Sequence, residues 1–369
     1  MIDYVESHII YENPKPHVHS RHGYFPGLTV LGSGEILAMF MVAEAFEAPN
    51  GTTYVTRSTD GGRTWRLEGP VYDKRVVGHE TTDVMKPTLL SGGRLIAIGY
   101  RYDRYDPEQG IGVEETGGLL PGDDIVCFSE DDGKTWSVPA VIPRSRPELI
   151  EISGPCVELR SGELAAVGAL LKMPDGGTPS GQQGVFLRSS DGGRTWDDRT
   201  VYFRAPGGNL TPYESRLAEM PDGRLVALVW AYDTSRNEHH PNMVVVSRDS
   251  GCTWSAPIDT GVMAQASNLV PLGDDLLLTI HAHRGDDPAI RVLIVDCARD
   301  RWRVVEEKAI WGAGVGPQTR AGQNMAAMFT SLKFGQPSLV HLGGGEYLAA
   351  HWSVEDGQGK IRAHRLMVR

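Results

Sequence analysis

Short apolar runs separated by Gly- and Asp-rich turns recur along the whole chain, a pattern that favours β-hairpins over helices. One hairpin pattern has an apolar run containing Leu, then two or three turn residues, then a second apolar run. It occurs six times, at residues 28–38, 88–97, 157–166, 217–227, 269–278 and 339–349. These copies predict six strand pairs, which we call strands A and B of six repeating units.

A second phrase, Ser-x-Asp-x-Gly-x-Thr-Trp, interleaves with the first. It occurs four times, at residues 58–65, 129–136, 189–196 and 247–254. An Asp that accepts backbone N–H groups, followed by a Gly that tolerates positive φ, predicts a tight turn. The Trp then begins a return strand, so each phrase predicts a turn between strands C and D of the same unit. In the fifth unit the phrase is reduced to a strand ending at Trp302.

Together the two repeats predict an all-β fold, a six-bladed β-propeller of four-stranded antiparallel blades. The sixth unit ends at its third strand, and the unpaired run from Tyr4 to Tyr11 is the natural fourth strand. We therefore expect the N-terminal strand to close the ring and remove its open edges. No linker interrupts the repeats, so residues 1–369 are predicted to form one domain.

Propeller geometry predicts which face carries a site. The A–B and C–D turns lie at one end of the strands, so the variable B–C loops and the residues before each A strand lie at the other. That rim carries many polar residues, including Glu151, Lys172, Tyr213 and Arg284. Several of them are basic although the net charge of the protein is −11, which favours an anionic sugar or another carboxylate as ligand.

The four Ser-x-Asp phrases resemble the Asp-box repeats of the sialidase (neuraminidase) superfamily, and with the A–B repeats the resemblance spans nearly the whole chain. The family places a Glu directly before the fourth A strand, and the stretch beginning Tyr213-Glu214-Ser215 matches that pattern. The resemblance thus implies that Glu214 assists catalysis. The family's acid/base residue lies in the first B–C loop, where Glu47 is the best counterpart and Glu44 its competitor.

Three positions depart from the family pattern. Tyr24 stands where the family has its first arginine, with Arg21 nearby, and Trp230 stands where another arginine is expected. Gln336 occupies the register of the nucleophilic tyrosine. These departures predict a sialidase-like enzyme whose specificity differs from that of a sialidase.

The sequence thus predicts Glu214 and Glu47 as the catalytic carboxylates, since glycoside hydrolysis requires an acid and a base or nucleophile. The predicted substrate-binding residues are Arg21, His22, Tyr24, Asp83, Lys86, Arg101, Arg216, Trp230, His281, His283, Lys333, Gln336 and His351. The histidines could together hold a metal, but no metal-binding spacing is present, and we expect them to donate to substrate hydroxyls. Neither a metal nor a cofactor is predicted.

Composition limits the partners and the cellular location that the protein can have. The acidic balance argues against nucleic acid and anionic membranes as partners, and no apolar run is long enough to span a membrane. The four cysteines lack CxxC spacing and no secretory signal is visible, which predicts a cytoplasmic protein, with a secreted mature form as the alternative. The predicted partner is a carbohydrate substrate. Two alternatives remain open: a non-catalytic propeller that binds glycan or protein, and a polysaccharide lyase using Tyr24 or a histidine as base.

Overall fold

The fold is an all-β propeller of six four-stranded antiparallel blades, as the repeats predict. It is known from a computed structural model that describes residues 1–312, 314–319 and 322–369. Strand A of each blade lies nearest the central axis, and the chain runs outward through strands B, C and D before it enters the next blade.

The strands follow one another in the order expected for such a ring. The first strand is β1 (Ile2–Tyr11). Blade 1 consists of β2 (His22–Val30), β3 (Ile36–Ala43), β4 (Thr52–Ser58) and β5 (Arg66–Pro70). Blade 2 consists of β6 (Thr81–Leu89), β7 (Leu95–Asp103), β10 (Gly122–Ser129) and β11 (Ala140–Ile142), with the small hairpin β8 (Gly112–Val113) and β9 (Gly118–Leu119) in its B–C loop. Blade 3 consists of β12 (Ile150–Glu151), β13 (Val157–Glu158), β14 (Leu164–Leu170), β15 (Gly184–Ser189) and β16 (Asp197–Phe203).

The remaining three blades complete the ring. Blade 4 consists of β17 (Leu210–Glu219), β18 (Leu225–Asp233), β19 (Glu238–His239), β20 (Met243–Ser247) and β21 (Ile258–Asp259). Blade 5 consists of β22 (Ser267–Gly273), β23 (Leu276–His283), β24 (Ala289–Asp296) and β25 (Arg303–Trp311). Blade 6 consists of β26 (Phe334–Gly343), β27 (Glu346–Glu355) and β28 (Gln358–Val368), with β1 as its outer strand. A short helix, α1 (Met325–Phe329), and two 3-10 turns, Lys74–Val77 and Ala298–Asp300, lie between strands.

Burial explains the layering of each blade. Every residue of β3 is buried, because a B strand is covered on both faces by the neighbouring blades. The outer strand β5 is mostly exposed, and its sequence Arg-Leu-Glu-Gly-Pro lacks the run of apolar residues found in β3. The core therefore consists of sheets of apolar side chains packed between adjacent blades.

The predicted ring closure is confirmed. β1 pairs antiparallel with β28, in a register that joins Ile2 to Val368 and Tyr11 to Ile361. The fifth blade also behaves as its reduced sequence predicts, since the 3-10 turn Ala298–Asp300 joins its C and D strands.

The four Ser-x-Asp turns share one set of hydrogen bonds. In the first, Ser58 Oγ accepts from Gly62 N at 2.8 Å, and Thr64 Oγ1 donates to Asp60 Oδ2 at 2.6 Å. The Trp65 indole N–H then donates to Gly62 O at 3.0 Å. A Cβ on Gly62 would lie 2.9 Å from Leu348 of the preceding blade, so glycine is needed here for blades to pack closely as well as for positive φ.

The described residues lack two features. No helix in those residues is long and apolar enough to cross a membrane. No group of three or more His, Cys, Asp or Glu side chains in the same residues is placed to share a metal ion.

Candidate active site

A cavity of about 80 Å³ lies on the propeller axis, at the end of the strands opposite the Ser-x-Asp turns. Residues of all six blades line it, and most of them are aromatic or aliphatic. Its wall consists of Phe25, Met41, Phe46, Thr82, Asp83, Val84, Tyr100, Tyr102, Ile111, Leu119, Glu151, Leu171, Tyr213, Glu214, Trp230, Arg284, Met325, Phe329, Leu332 and Gln336. An apolar pocket with a few convergent polar groups is the usual form of a small-molecule site.

Three side chains reach this cavity from bulges in A strands. In blades 1, 4 and 6 the pairing register of strand A with strand B shifts at a bulge. The bulges lie between Tyr24 and Gly27, between Tyr213 and Arg216, and between Gly335 and Ser338. The residue within each bulge has positive φ although it is not glycine: Phe25 at 57°, Glu214 at 44° and Gln336 at 38°. Such backbone strain is uncommon and concentrates at functional sites.

Glu214 and Gln336 form the polar centre of the cavity. Gln336 Nε2 donates to Glu214 Oε1 at 2.7 Å, across the axis from blade 6 to blade 4. Glu214 Oε2 and Gln336 Oε1 are buried and have no hydrogen-bond partner within the described chain. Buried polar atoms are rarely left unpaired, so these two oxygens mark a place where a polar ligand can bind.

Arg284 supplies a positive charge at the same centre. Its Nε donates to Phe334 O at 2.9 Å, and its guanidinium lies 5.8 Å from the ring centre of Trp230. Its Nη1 is buried and has no partner among the described residues. The arginine is thus held by the scaffold through one nitrogen, while another remains unsatisfied.

Glu151 is the second carboxyl group of the cavity. Its Oε2 accepts a hydrogen bond from the backbone N–H of Glu214 at 2.8 Å. Burial first, and then the negative charge of Glu214, hold the pKa of the Glu151 carboxyl well above its usual range, although Arg216 opposes the shift. This raised pKa favours the protonated form of Glu151.

Two further cations lie behind this cluster. Arg216 Nη1 donates to Ser153 Oγ and to the carbonyls of Glu214 and Ser215, at 2.9–3.0 Å. Lys86 Nζ donates to Phe25 O. Burial lowers the pKa of the Lys86 ammonium well below its ordinary value. Both side chains are fully buried and interact electrostatically with Glu214 without reaching the cavity wall.

Two other predicted residues are on the wall but are held by the protein. The carboxylate of Asp83 accepts from Thr53 N and Oγ1 and from the Tyr72 hydroxyl, which ties blade 1 to blade 2. Trp230 Nε1 donates to His239 Nδ1 at 3.1 Å, which leaves the indole ring as the surface presented to the cavity.

Glu47 does not line the cavity, so its predicted catalytic role has no geometric support. Its Oε1 accepts from Ile111 N at 2.7 Å and from Gly112 N at 3.1 Å. Burial raises the pKa of the Glu47 carboxyl, although those two hydrogen bonds act to lower it. The side chain anchors the loop that brings Ile111 to the cavity wall.

Blade 1 places three more predicted residues away from the cavity. Tyr24 is buried in an aromatic cluster with Phe46 and Trp352, at ring distances of 5.3 and 5.4 Å. His22 Nδ1 accepts from Gly359 N at 2.8 Å, and Arg21 is exposed at the rim.

Strand alternation turns Arg101 away from the cavity. Its neighbours Tyr100 and Tyr102 line the wall, whereas the Arg101 guanidinium points to the opposite face of the sheet and pairs with Asp123 at 2.6 Å. Lys333 is exposed and is also absent from the wall.

The predicted histidines do not converge on a ligand. His281 is fully buried, with Nδ1 at 2.9 Å from Asn242 Oδ1 and Nε2 at 2.9 Å from Thr279 Oγ1. His351 Nε2 lies 3.0 Å from His364 Nε2. His283 is half-buried near Arg291. None of these three lines the cavity.

A short lid that the sequence analysis did not predict covers the cavity. Helix α1 begins after Asn324, whose Oδ1 accepts from Ala327 N at 2.9 Å. Asn324 Nδ2 donates to Glu114 O at 3.1 Å, so the helix docks against the loop of the small hairpin in blade 2. Met325 and Phe329 of α1 and the following Leu332 lie on the cavity wall.

The buried carboxyls predict a pH dependence of stability. Burial raises the pKa of Asp124 to about 8, and that of Glu151 is raised as well. A carboxyl whose pKa is higher in the folded state stabilises the fold fully below its unfolded pKa and loses that contribution as pH rises towards the folded value. Between about pH 5.5 and 7, each such group should lower the free energy of unfolding by about 1.4 kcal/mol per pH unit.

Urea unfolding at several pH values tests this expectation. Asp124→Asn and Glu151→Gln should each make the slope of unfolding free energy against pH less negative than in the wild type, and the double variant should combine both changes. A wild-type slope in both single variants would contradict the raised pKa values.

The fold has relatives among solved structures. A protein of unknown function from Dyadobacter fermentans superposes with a TM-score of 0.76 at 21% identity, covering 100% of this chain and 99% of that one. An intramolecular trans-sialidase from Ruminococcus gnavus gives a TM-score of 0.65 at 15% identity, with 97% of each chain covered. An alpha-L-arabinanase from Penicillium chrysogenum gives 0.65 at 16% identity, with 98% of each covered.

No protein-family model matches the sequence, and no curated protein does. At identities this low the structural likeness establishes the six-bladed fold alone. The fold is thus one that sialidases and an arabinanase share with this chain.

Proposed function

We propose that the protein is a sialidase-like glycoside hydrolase that cleaves a terminal sugar, and that Glu151 and Glu214 act as its carboxyl pair. One observation carries this proposal: Glu151, whose carboxyl pKa is raised by burial, and Glu214 both line an enclosed cavity on the axis, where the Glu214 backbone N–H donates to the Glu151 carboxyl. Two carboxyl groups with different protonation states are what acid–base glycoside hydrolysis requires.

Each group has a defined role in the proposed reaction. Glu151 donates its proton to the glycosidic oxygen as the bond from that oxygen to the anomeric carbon breaks, which releases an alcohol. Water adds to the anomeric carbon and gives its proton to Glu214, so glycoside and water yield sugar and alcohol. Proton exchange with solvent then restores Glu151 as the acid and Glu214 as the base.

The cations around the cavity support an acidic sugar as substrate. The guanidinium groups of Arg216 and Arg284 are both buried and both interact electrostatically with Glu214. Asp83 is a further acidic side chain on the wall, but its carboxylate already accepts hydrogen bonds from Thr53 and Tyr72. An unpaired donor, rather than an excess of positive charge, therefore favours a substrate carboxylate. The unpaired Nη1 of Arg284 is the donor best placed for such a group.

Cavity size and the structural neighbours also support the proposal. The enclosed volume of about 80 Å³ excludes a long chain from the cavity. The arabinanase was solved with arabinobiose, and the trans-sialidase with oseltamivir carboxylate. The lyase alternative is less well supported, because Tyr24 and the histidines lie off the cavity wall.

The general-acid role predicts a dependence on the leaving group. In Glu151→Gln, kcat/KM for a methyl glycoside should fall by about 10²- to 10⁴-fold, because an alkoxide leaves poorly without a proton. The loss should be far smaller for the 2,4-dinitrophenyl glycoside of the same sugar, whose leaving group needs little protonation.

A panel of aryl glycosides of sialic, uronic and neutral sugars first identifies the sugar that the wild type cleaves. Equal losses for good and poor leaving groups would remove Glu151 as the acid. Failure of the wild type to cleave any glycoside would favour the non-catalytic binding propeller.

A further inference from the structure

The axial cavity, in the closed form of the structure, holds less space than ligand pockets usually offer. Its volume of about 80 Å³ lies below the roughly 300–1,000 Å³ that is usual for such pockets. Met325 and Phe329 of α1 and the following Leu332 form part of its wall. Met325, with Tyr213, also separates the cavity from an adjoining space of about 230 Å³. A sugar ring therefore enters only if part of this wall moves.

The lid consists of α1 and its flanking residues, 322–330, and it is fastened to the propeller outside any sheet. Asn324 Nδ2 donates to Glu114 O at 3.1 Å, and the Tyr232 hydroxyl donates to Gln323 O at 2.7 Å. The five-residue helix is shorter than the roughly 12–15 residues below which isolated helices are marginal in water. The lid can therefore leave blade 2 without breaking a β-sheet.

The closed position of the lid is nevertheless a docked one. Gly112 of the small hairpin leaves room for Ala326, since a Cβ at position 112 would meet the Ala326 side chain. The Phe329 ring lies 5.7 Å from the ring of Phe46 in the B–C loop of blade 1. The lid thus has a defined resting place, as an element with two discrete positions requires.

Both stems of the lid are fixed at Arg284. On the N-terminal side, Gln318 N donates to the Arg284 carbonyl at 2.8 Å. On the C-terminal side, Arg284 Nε donates to Phe334 O at 2.9 Å. These fixed points lie on either side of the lid, so it can swing on them while the strands stay in place. The residue that holds them also lines the cavity.

We propose that the lid opens away from the small hairpin of blade 2 to admit the terminal sugar, and closes over it before the glycosidic bond breaks. The proposal rests on the hydrolase function, because that function requires a sugar inside the cavity. Closure excludes bulk water and places Met325 and Phe329 against the sugar. Arg284 links the closed state to the substrate, since one residue both holds the stems and faces the cavity.

A disulfide made by Gly117→Cys together with Asn324→Cys should lock the lid shut. Gly117 lies in the turn of the small hairpin, and a Cβ on it would lie 3.8 Å from Asn324 Cβ, a separation that matches a disulfide. In the oxidised double variant, kcat/KM for the aryl glycoside that the wild type cleaves best should fall by about tenfold or more. Dithiothreitol should restore it.

The two single variants are the matched controls, because each carries one new thiol and cannot form this bond. Oxidation should leave their kcat/KM unchanged, and mass spectrometry before and after reduction verifies the bond in the double variant. A cross-linked protein that turns over as fast as its reduced form would overturn the lid while leaving the hydrolase proposal intact.

Hydrogen exchange tests the lid whether or not the protein cleaves glycosides. Lid amides such as Met328 N, which donates to Asn324 O at 3.0 Å, should exchange faster than those of β17 and β18. Gly112→Ala should speed this exchange further, because the added Cβ would push Ala326 away from the hairpin. Lid amides that exchange as slowly as the two strands, or whose exchange Gly112→Ala leaves unchanged, would contradict the proposal.

Discussion

Glu214→Gln should lower kcat by about 10³-fold or more for every glycoside that the protein cleaves, whatever the leaving group. The substitution keeps the shape and the acceptor that Gln336 uses, but removes the negative charge at the centre of the cavity. A loss of kcat that is the same for all leaving groups would distinguish Glu214 from Glu151. Replacing Glu151 should instead affect the glycosides with poor leaving groups most. Steady-state kinetics on the aryl and methyl glycosides measures both patterns.

Glu47→Gln is the informative comparison for this experiment. It makes the same chemical change at a buried carboxyl that anchors the backbone of Ile111 and Gly112 rather than facing the cavity. We expect it to retain most of kcat and to lower the melting temperature modestly. If Glu47→Gln abolished turnover while Glu214→Gln did not, the carboxyl pair would be wrongly assigned.

Gly99→Ala should lower the free energy of unfolding by about 3 kcal/mol or more. Gly99 lies in β7 opposite Met85, and a Cβ on it would meet the Val84 carbonyl inside van der Waals contact and lie 2.9 Å from Met85 Cα. Backbone atoms cannot move aside as a flexible side chain can, so the A and B strands of blade 2 would have to separate.

Gly32→Ala is a matched control in a turn, because nothing lies within 4 Å of its added Cβ and its φ is not positive. It should be neutral or slightly stabilising, through the lower entropy of the unfolded chain. Chemical denaturation with both variants provides the measurement. A Gly99→Ala protein as stable as Gly32→Ala would show that the strands tolerate wider spacing.

The fold could be predicted from the sequence because its repeats are local. Each A–B hairpin and each Ser-x-Asp turn is encoded within a dozen residues, by Gly, Asp and apolar alternation. Helix α1 could not be predicted from the sequence because its formation depends on contacts that are not local. Its five residues are too few for a helical period, and they are held by contacts with Glu114 and the cavity wall that are distant in sequence.

The site was only partly predictable. Glu214 and Gln336 were identified because a family pattern fixes their register at the start of an A strand. Glu151 and Arg284 stood among many rim residues, and only the geometry shows that they meet Glu214. Arg101 and the buried histidines were chosen by type and position, but strand alternation and packing between blades direct their side chains elsewhere.

The pairing of β1 with β28 has a mechanical consequence. Ile2 faces Val368, and the Met1 ammonium donates to Arg369 O at 2.7 Å, so both chain ends leave the same end of one antiparallel pair. A force applied between the ends would break the hydrogen bonds of that pair one after another, as in opening a zipper, rather than loading them together in shear. The seam of blade 6 should therefore peel open before any other blade loses a strand.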